Sequence, residues 1–273
     1  MQSASRPIGG HPNRPVGPPQ RPTRRPPGAP VPLQYIELTL PTIAANLALD
    51  EALLVEAEAG RIGPTLRIWE PTSYAVVLGA SGRIVEDVRL AACRAEGVAI
   101  ARRSSGGGTV VVGPGAVNVA VVVRVDAAPE YRAVDTAQVA VLARFAAGLR
   151  GLEPRLEVLG SGDLAIEGRK VSGSAQRRLR SYFLVHATIL NEFDLPMIGR
   201  CTNLPRRQPS YRADRPHDAF VRNLDLLRDP LLQALRAGWI DPDALDAPVS
   251  IPSALVDELV RSKFADPGWI ERL

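Results

Sequence analysis

The chain has 273 residues, 45% of them hydrophobic and 23% charged, with 25 prolines, 23 glycines and two cysteines. That length buries one large core or two small ones. No apolar run approaches the roughly 18 residues that span a bilayer, and no basic-then-apolar leader is present, so a soluble, cytoplasmic protein is expected. Cys93 and Cys201 cannot build a disulfide framework, and with His11, His186 and His217 they show no metal-ligand spacing, which argues against a zinc site.

The net charge of +4 originates in residues 1–33, which hold five arginines, ten prolines and no acid; taking those five away leaves the other 240 residues at −1. A nucleic-acid-binding fold carries positive charge on its folded body, so no nucleic-acid partner is expected. Proline every few residues removes backbone donors and forbids an amphipathic transit helix, and residues 1–33 read as a disordered, polyproline-like arm. Of the 33 basic residues only Lys170 and Lys263 are lysine. Arginine cannot copy a compact three-donor ammonium at a tight site, and this singles out Lys170.

From residue 34 the hydrophobic pattern alternates between helical and strand periods. Ile43–Ala59 has apolar residues at helical spacing and stops at Gly60. Short β-type runs follow at Leu66–Trp69 and Ala75–Leu78, and Glu86–Glu96 reads as a helix ended by Gly97. Val98–Ala101 and Val110–Val112 are strand-like and flank a loop. Val117–Val125 is valine-rich and long enough for a central strand buried on both faces. Val134–Leu149 is an alanine-rich helix. Leu164–Ile166 and Lys170–Val171 flank Glu167-Gly168, a hairpin turn, and Tyr182–Leu190 is a second buried strand. After Asp194 proline, arginine and aspartate increase, and only helices are suggested, at Asp218–Leu227, Leu231–Ala237 and Ser253–Phe264. The expected organisation is an α+β body over 34–193 and a helical C-terminal extension over 194–273.

Two stretches carry chemistry. Arg102-Arg103-Ser104-Ser105-Gly106-Gly107-Gly108-Thr109 joins two strands; its glycines let the backbone approach a ligand, and its arginines supply charge for a phosphate or carboxylate. The plain alternative is a flexible loop with solvated arginines. Gly168-Arg169-Lys170-Val171-Ser172-Gly173-Ser174-Ala175-Gln176 sets an ammonium beside small residues that leave room for a ligand; the alternative is a surface lysine beside a turn. Gly160-Ser161-Gly162 matches a dinucleotide fingerprint as a string, but Glu167-Gly168 breaks the helix it would have to open. Neither a P-loop nor a GxSxG nucleophile elbow occurs. His186 reads as a hydrogen-bonded core histidine and Cys93 as core.

Together and in order, these stretches resemble the lipoate–protein ligase family, within the biotin/lipoate ligase and octanoyl transferase superfamily. RRSSGGGTVVVGPGAVN is similar to the family's RRxSGGGxV loop, and GSGDLAIEGRKVSGSAQRR to its NDL and GRKxSGxAQ segment. VHATIL followed by FDL resembles the next strand and Asp-Leu, and NLALDEALL the opening helix. The likeness runs colinearly over residues 34–225. It implies an α+β fold with a central mixed β-sheet flanked by helices.

The resemblance also implies roles. Arg103 would bind a nucleotide phosphate, while Ser105, Gly106, Gly107, Gly108, Thr109, Val110 and Val111 would line an adenylate and an acyl chain. Lys170, with Gly173 beside it, would be the catalytic group. It would neutralise charge as a carboxylate attacks phosphorus, and later stabilise the oxyanion as a protein lysine attacks the mixed anhydride. The implied reactants are ATP with Mg2+ and lipoate or octanoate. The implied partner is a lipoyl carrier domain of a 2-oxoacid dehydrogenase or glycine cleavage protein; no membrane or nucleic-acid partner is expected, and the oligomeric state stays open between a monomer and larger forms. The superfamily's octanoyl transferases carry the acyl group on a cysteine, at positions corresponding here to Phe183 or to the neighbourhood of Arg155. A thioester needs a thiolate. ATP-dependent ligation is therefore expected ahead of ATP-independent transfer or a non-catalytic acyl- or carrier-binding protein. A biotin ligase's GRGRxGR-type loop does not stand at 102–108.

Overall fold

The computed structural model describes residues 33–240 and 250–273, so the expectation of a disordered arm falls, apart from Leu33, outside the described residues. In chain order the strands are β1 (Gln34–Glu37), β2 (Thr65–Trp69), β3 (Ala75–Leu78), β4 (Ala99–Arg102), β5 (Val110–Val112), β6 (Ala116–Arg124), β7 (Leu156–Leu159), β8 (Asp163–Ile166), β9 (Arg169–Arg178) and β10 (Tyr182–Leu190). The helices are α1 (Ile43–Glu58), α2 (Ile84–Asp87), α3 (Leu90–Ala95), α4 (Val134–Leu149), α5 (Pro196–Cys201), α6 (His217–Phe220), α7 (Arg228–Ala237), α8 (Ser253–Leu259), which runs on as a π-helical turn over Val260–Phe264, and α9 (Pro267–Ile270). None is long and apolar enough to cross a membrane.

A seven-stranded mixed sheet has the order β1-β2-β6-β10-β9-β8-β7, parallel only between β1 and β2. Valine-rich β6 and apolar β10 form its middle, as their unbroken apolar runs require, because a strand covered on both faces has no polar side to show. One face packs against α4 and α7, with Val119, Val121, Phe145, Leu231 and Trp239 in a single core. The other face packs against α1, where Leu49, Leu53, Val122 and Leu184 meet Val256 and Phe264 from the C-terminal segment. Thr42 starts α1 by accepting the Ala45 N–H, and the helix also buries three polar side chains, Asn46, Asp50 and Glu51. A separate three-stranded sheet, β4-β3-β5, carries the third core.

Several elements depart from the pattern read in the sequence. The helix expected over Glu86–Glu96 splits into α2 and α3, because Val88 bridges to Thr202 and the Arg89 N–H goes to the Cys201 carbonyl. Of the helix expected at Asp218–Leu227 only α6 forms. Beyond it Val221 bridges to Lys170, and the N–H groups of Leu224 and Asp225 donate to Leu190 and Asn191. In both places a distant segment takes the backbone donors a helix would have used. The edge strands β1 and β7, four residues each, are too short to show a period. Glu167 and Gly168, both with positive φ, make the expected hairpin between β8 and β9, and Gly160 and Gly162 turn β7 into β8 without opening a helix.

Candidate active site

Strand register places the functional side chains. Trp69 on β2 pairs with Asn118 on β6, Asn118 with Thr188 on β10, and Thr188 with Gly173 on β9. The next row with the same orientation runs Arg67, Ala120, His186, Ala175. Residues two apart share a face, and Trp69, Ala120 and Val122 lie in the core beneath α1. Between this face, α1 and the small sheet lies a cavity of about 840 Å³. Its walls are apolar at Leu47, Val77, Val110–Val112, Ala187 and Leu190, and basic at Arg83, Lys170, Arg206 and Arg207.

The glycine-rich loop forms one wall and is folded around its own arginine. Arg103, 6% exposed, donates to the carbonyls of Val77, Gly106 and Gly108 and to Ser105 Oγ. Burial pulls its pKa down to about 10, so it remains a cation at neutral pH. In a trans peptide the next N–H points opposite to the carbonyl, which turns the Gly107 and Thr109 amides away from Arg103. The loop packs so closely on Gly79 that a Cβ there would collide with the Gly107 carbonyl. Thr109 Oγ1 donates to Asp87 Oδ2 at 2.7 Å, fixing the far end of the loop to α2. Arg102 is completely buried and points elsewhere. Its guanidinium donates to the carbonyls of Gly79 and Gly82 and, across 168 residues of chain, twice to Ile270. Trp269 Nε1 donates back to the Arg102 carbonyl.

Lys170 stands at the start of β9 facing the cavity, with Nζ 2.9 Å from Asp163 Oδ1. A Cβ on Gly173 would sit 2.8 Å from that Nζ, so the glycine makes the space in which the ammonium rests. Asp163 also accepts the Tyr211 hydroxyl at 2.8 Å. Burial, with the nearby Asp163 charge, pushes the Tyr211 phenol well above its ordinary value and keeps it a donor.

His186 lines the cavity and is half of a polar chain. Ser105 Oγ accepts from Arg103 Nε at 2.9 Å and makes a second hydrogen bond with His186 Nε2, 2.6 Å away. His186 Nδ1 faces Asp50 Oδ2 at 3.8 Å, and Asp50 is held by the buried Arg67 at 2.5 Å. The two cysteines lie outside the cavity lining, in the third core, with Cys93 Sγ directed at the Cys201 carbonyl. Burial raises both thiols, Cys201 to about 11.

Of the residues singled out in the sequence, Arg103, Gly107, Gly108, Thr109, Val110, Val111, Lys170 and Gly173 line one cavity. Ser105 is 1% exposed and stands behind the wall, and Gly106 is not part of the lining. The arginine pair is not the solvated pair of a flexible loop, since both guanidinium groups are spent on carbonyls. The sequence reading gave no role to Asp163, Asp50 and Asn118 and took His186 for a hydrogen-bonded core histidine. Asp163 sits in the quoted Asp-Leu, and His186 shares a strand face with Thr188, the one signal that it looks into a site.

A lysine faces a glycine-rich loop across a partly apolar cavity on this mixed sheet, an arrangement that can hold an acyl chain and offset charge at its reacting end. The chain belongs to the lipoyl protein ligase A/B catalytic domain family, whose model matches residues 42–236. It is 30% identical over 187 residues to octanoyltransferase LipM of Symbiobacterium thermophilum, covering 61% of this chain and 68% of that one. In fold it is similar to a lipoate–protein ligase A bound with ATP (TM-score 0.74, 23% identity, 90% of this chain and 100% of that one). It is similar also to a chain from a study of an archaeal lipoylation system, a bipartite lipoate protein ligase and its E2 lipoyl domain from Thermoplasma acidophilum (TM-score 0.70, 22% identity, 88% and 96%). The protein is thus an enzyme of lipoylation, in a family that holds both ligases and octanoyl transferases.

Proposed function

We propose that this chain activates lipoate or octanoate with ATP and transfers the acyl group to a lysine of a lipoyl carrier domain. The observation that carries the reading is the contrast between Lys170 and the cysteines. The ammonium stands in the cavity beside a loop that offers backbone dipoles, whereas both thiols are buried in another core with raised pKa values. A site without a thiolate must activate a carboxylate by another route, and adenylation is the route that a fixed cation and oriented amides favour. A carboxylate oxygen attacks the α-phosphorus and pyrophosphate leaves; Lys170 Nζ offsets the charge that gathers there. The carrier amine then attacks the acyl carbon and AMP leaves, with Nζ placed for the oxyanion. Among the described residues no group of three or more His, Cys, Asp or Glu is placed to hold a metal, and magnesium enters this reading as the counter-ion of the triphosphate. Arg103 supports the loop, and Arg83, Arg206 and Arg207, which line the cavity, suit an acidic carrier.

The test is intact mass spectrometry of a lipoyl carrier domain after incubation with the protein, MgATP and lipoate. An ATP-dependent lipoyl mass shift is expected. Lys170→Ala should lower the rate by about 10²–10³-fold, the usual loss on removing a group that stabilises developing charge, with an unchanged circular dichroism spectrum. Full activity in that variant would sink the mechanism. A second reading, octanoyl transfer without ATP, draws support from the name of the LipM relative; its signature is a mass shift from an octanoyl thioester alone.

A further inference from the structure

The carboxylate of Asp163 stands in a cavity read as a site for anions. Its Oδ1 is 2.9 Å from Lys170 Nζ, and both residues line the cavity. A negative charge at that distance holds the ammonium in place. It also cancels part of the field that the ammonium offers to a substrate carboxylate, a phosphate or an oxyanion. Asp50 and Asp87, which line the same cavity, are occupied elsewhere, by Arg67 and Thr109.

Asp163 is not left to Lys170 alone. Tyr211 donates its hydroxyl to the far oxygen, Oδ2, at 2.8 Å. The ring that delivers this hydroxyl is fixed from several sides. Phe220 packs on it at 5.2 Å between centroids, and the Gly160 turn lies against its edge, with Cε1 3.5 Å from where a Cβ would stand. Arg215 Nη2 donates to the carbonyls of Tyr211 and Gly168, which ties the turn carrying Tyr211 to the turn that precedes Lys170. The same segment closes on the lysine backbone, where the Arg222 N–H donates to the Lys170 carbonyl at 2.9 Å. Tyr211 and Lys170 are thus set in one frame with Asp163 between them.

A hydrogen bond to one carboxylate oxygen stabilises the charge there and leaves the other oxygen a weaker acceptor. It also fixes the rotation of the group, so that one oxygen rather than two faces the ammonium. We infer that Tyr211 is a positioning residue: through Asp163 it keeps Lys170 in place while limiting how much of the ammonium's charge the pair cancels. The inference rests on the acyl-activation reading for the anionic centre that Lys170 serves, but the hold on Lys170 is measurable without turnover.

With two lysines in the chain, amine labelling reads that hold directly. Acetic anhydride in limiting amount acetylates free amines, and peptide mass spectrometry gives the rate at Lys170 against that at Lys263, which pairs with Glu51. Tyr211→Phe, which deletes one hydroxyl, should slow labelling of Lys170 several-fold and leave Lys263 unchanged; Tyr211→Met, which also removes the donor, serves if the first variant fails to melt cooperatively. Asp163→Asn should speed labelling of Lys170. In the ATP-dependent transfer assay Tyr211→Phe should lower kcat about tenfold with little change in KM for the acid, the loss of one charge-assisted hydrogen bond felt at the transition state. In the Asp163→Asn background the same substitution should have no further effect, whereas a merely structural role multiplies the two losses. Unchanged Lys170 labelling in a folded variant, or equal kcat losses in both backgrounds, would overturn the inference. A wild type and variants that label as expected but transfer nothing would overturn the acyl-activation reading and leave the hold of Tyr211 on Lys170 standing.

Discussion

Arg102 and Arg103 are adjacent in sequence, and neither guanidinium meets a carboxylate. Each is neutralised by a ring of carbonyl dipoles, so the loop's shape depends on cations that never reach solvent. This is why the string of residues announced a ligand loop without revealing how it is held: Arg102 bonds to carbonyls 20 to 168 residues away, which leaves no local spacing to read, although Arg103 holds its own loop over two to five residues. Lys170 was legible for the opposite reason, since rarity and small neighbours are properties of the string itself. The cysteines give a sharp test at this scale. Cys93→Ala with Cys201→Ala should retain full transfer activity from whichever donor the enzyme uses, while the Tm falls as expected for two truncated buried side chains at about 1 kcal/mol each. Loss of activity in a folded double variant, or an acyl adduct on either thiol in the wild type, would bring the thioester route back.

Among the elements, those set by long uniform runs were legible: β6, β10 and α4 form within a residue or so of where the sequence places them. Elements decided by a remote partner were not, as the break at Val88 and the extended stretch after Phe220 show. The same distinction applies to the C-terminal segment. The helix over Ser253–Phe264 is anticipated by its pattern, but α9 and the attachment to the loops are not. Lys263 Nζ binds both oxygens of buried Glu51, Trp269 and Ile270 hold Arg102, and the Leu273 carbonyl accepts the Ile84 N–H. Ending the chain at Asp266 should therefore strip acceptors from Arg102 and loosen residues 79–84, at a cost of about 1–3 kcal/mol for the buried donors left open. Thermal melts should show that loss, and adding Arg102→Met to the shortened chain should recover part of it. A shortened chain as stable and active as the parent would show that residues 267–273 are dispensable.

At the scale of the whole molecule, the cavity is closed by chain segments far apart in sequence, and one of them carries a proton-sensitive fastening. His217 hydrogen-bonds the Asn203 carbonyl through Nε2 and lies against Arg212 through Nδ1, an arrangement suited to the neutral ring. Burial, reinforced by Arg212 and Arg89, holds its pKa below the ordinary 6.5. Between that value and the lower folded one, the unfolded chain carries a proton that the folded chain does not. Stability contributed here is therefore complete above 6.5 and is lost as the pH falls below it. Melting curves at pH 7.5 and 5.5 should show the drop, and His217→Gln, which keeps a donor and an acceptor, should reduce it; an identical drop in the variant would place the sensitivity elsewhere.

The scarcity of lysine has a consequence for an enzyme that handles an electrophilic acyl group. Any activated acyl donor that escapes will label nearby free amines indiscriminately. The chain's two side-chain amines are both engaged, Lys170 with Asp163 and Lys263 with Glu51, and the other 31 Lys or Arg residues are arginines, which acyl donors leave untouched. The protein's own side chains are thus nearly inert to the reagent it is proposed to make, which would leave a carrier's lysine as the favoured acceptor.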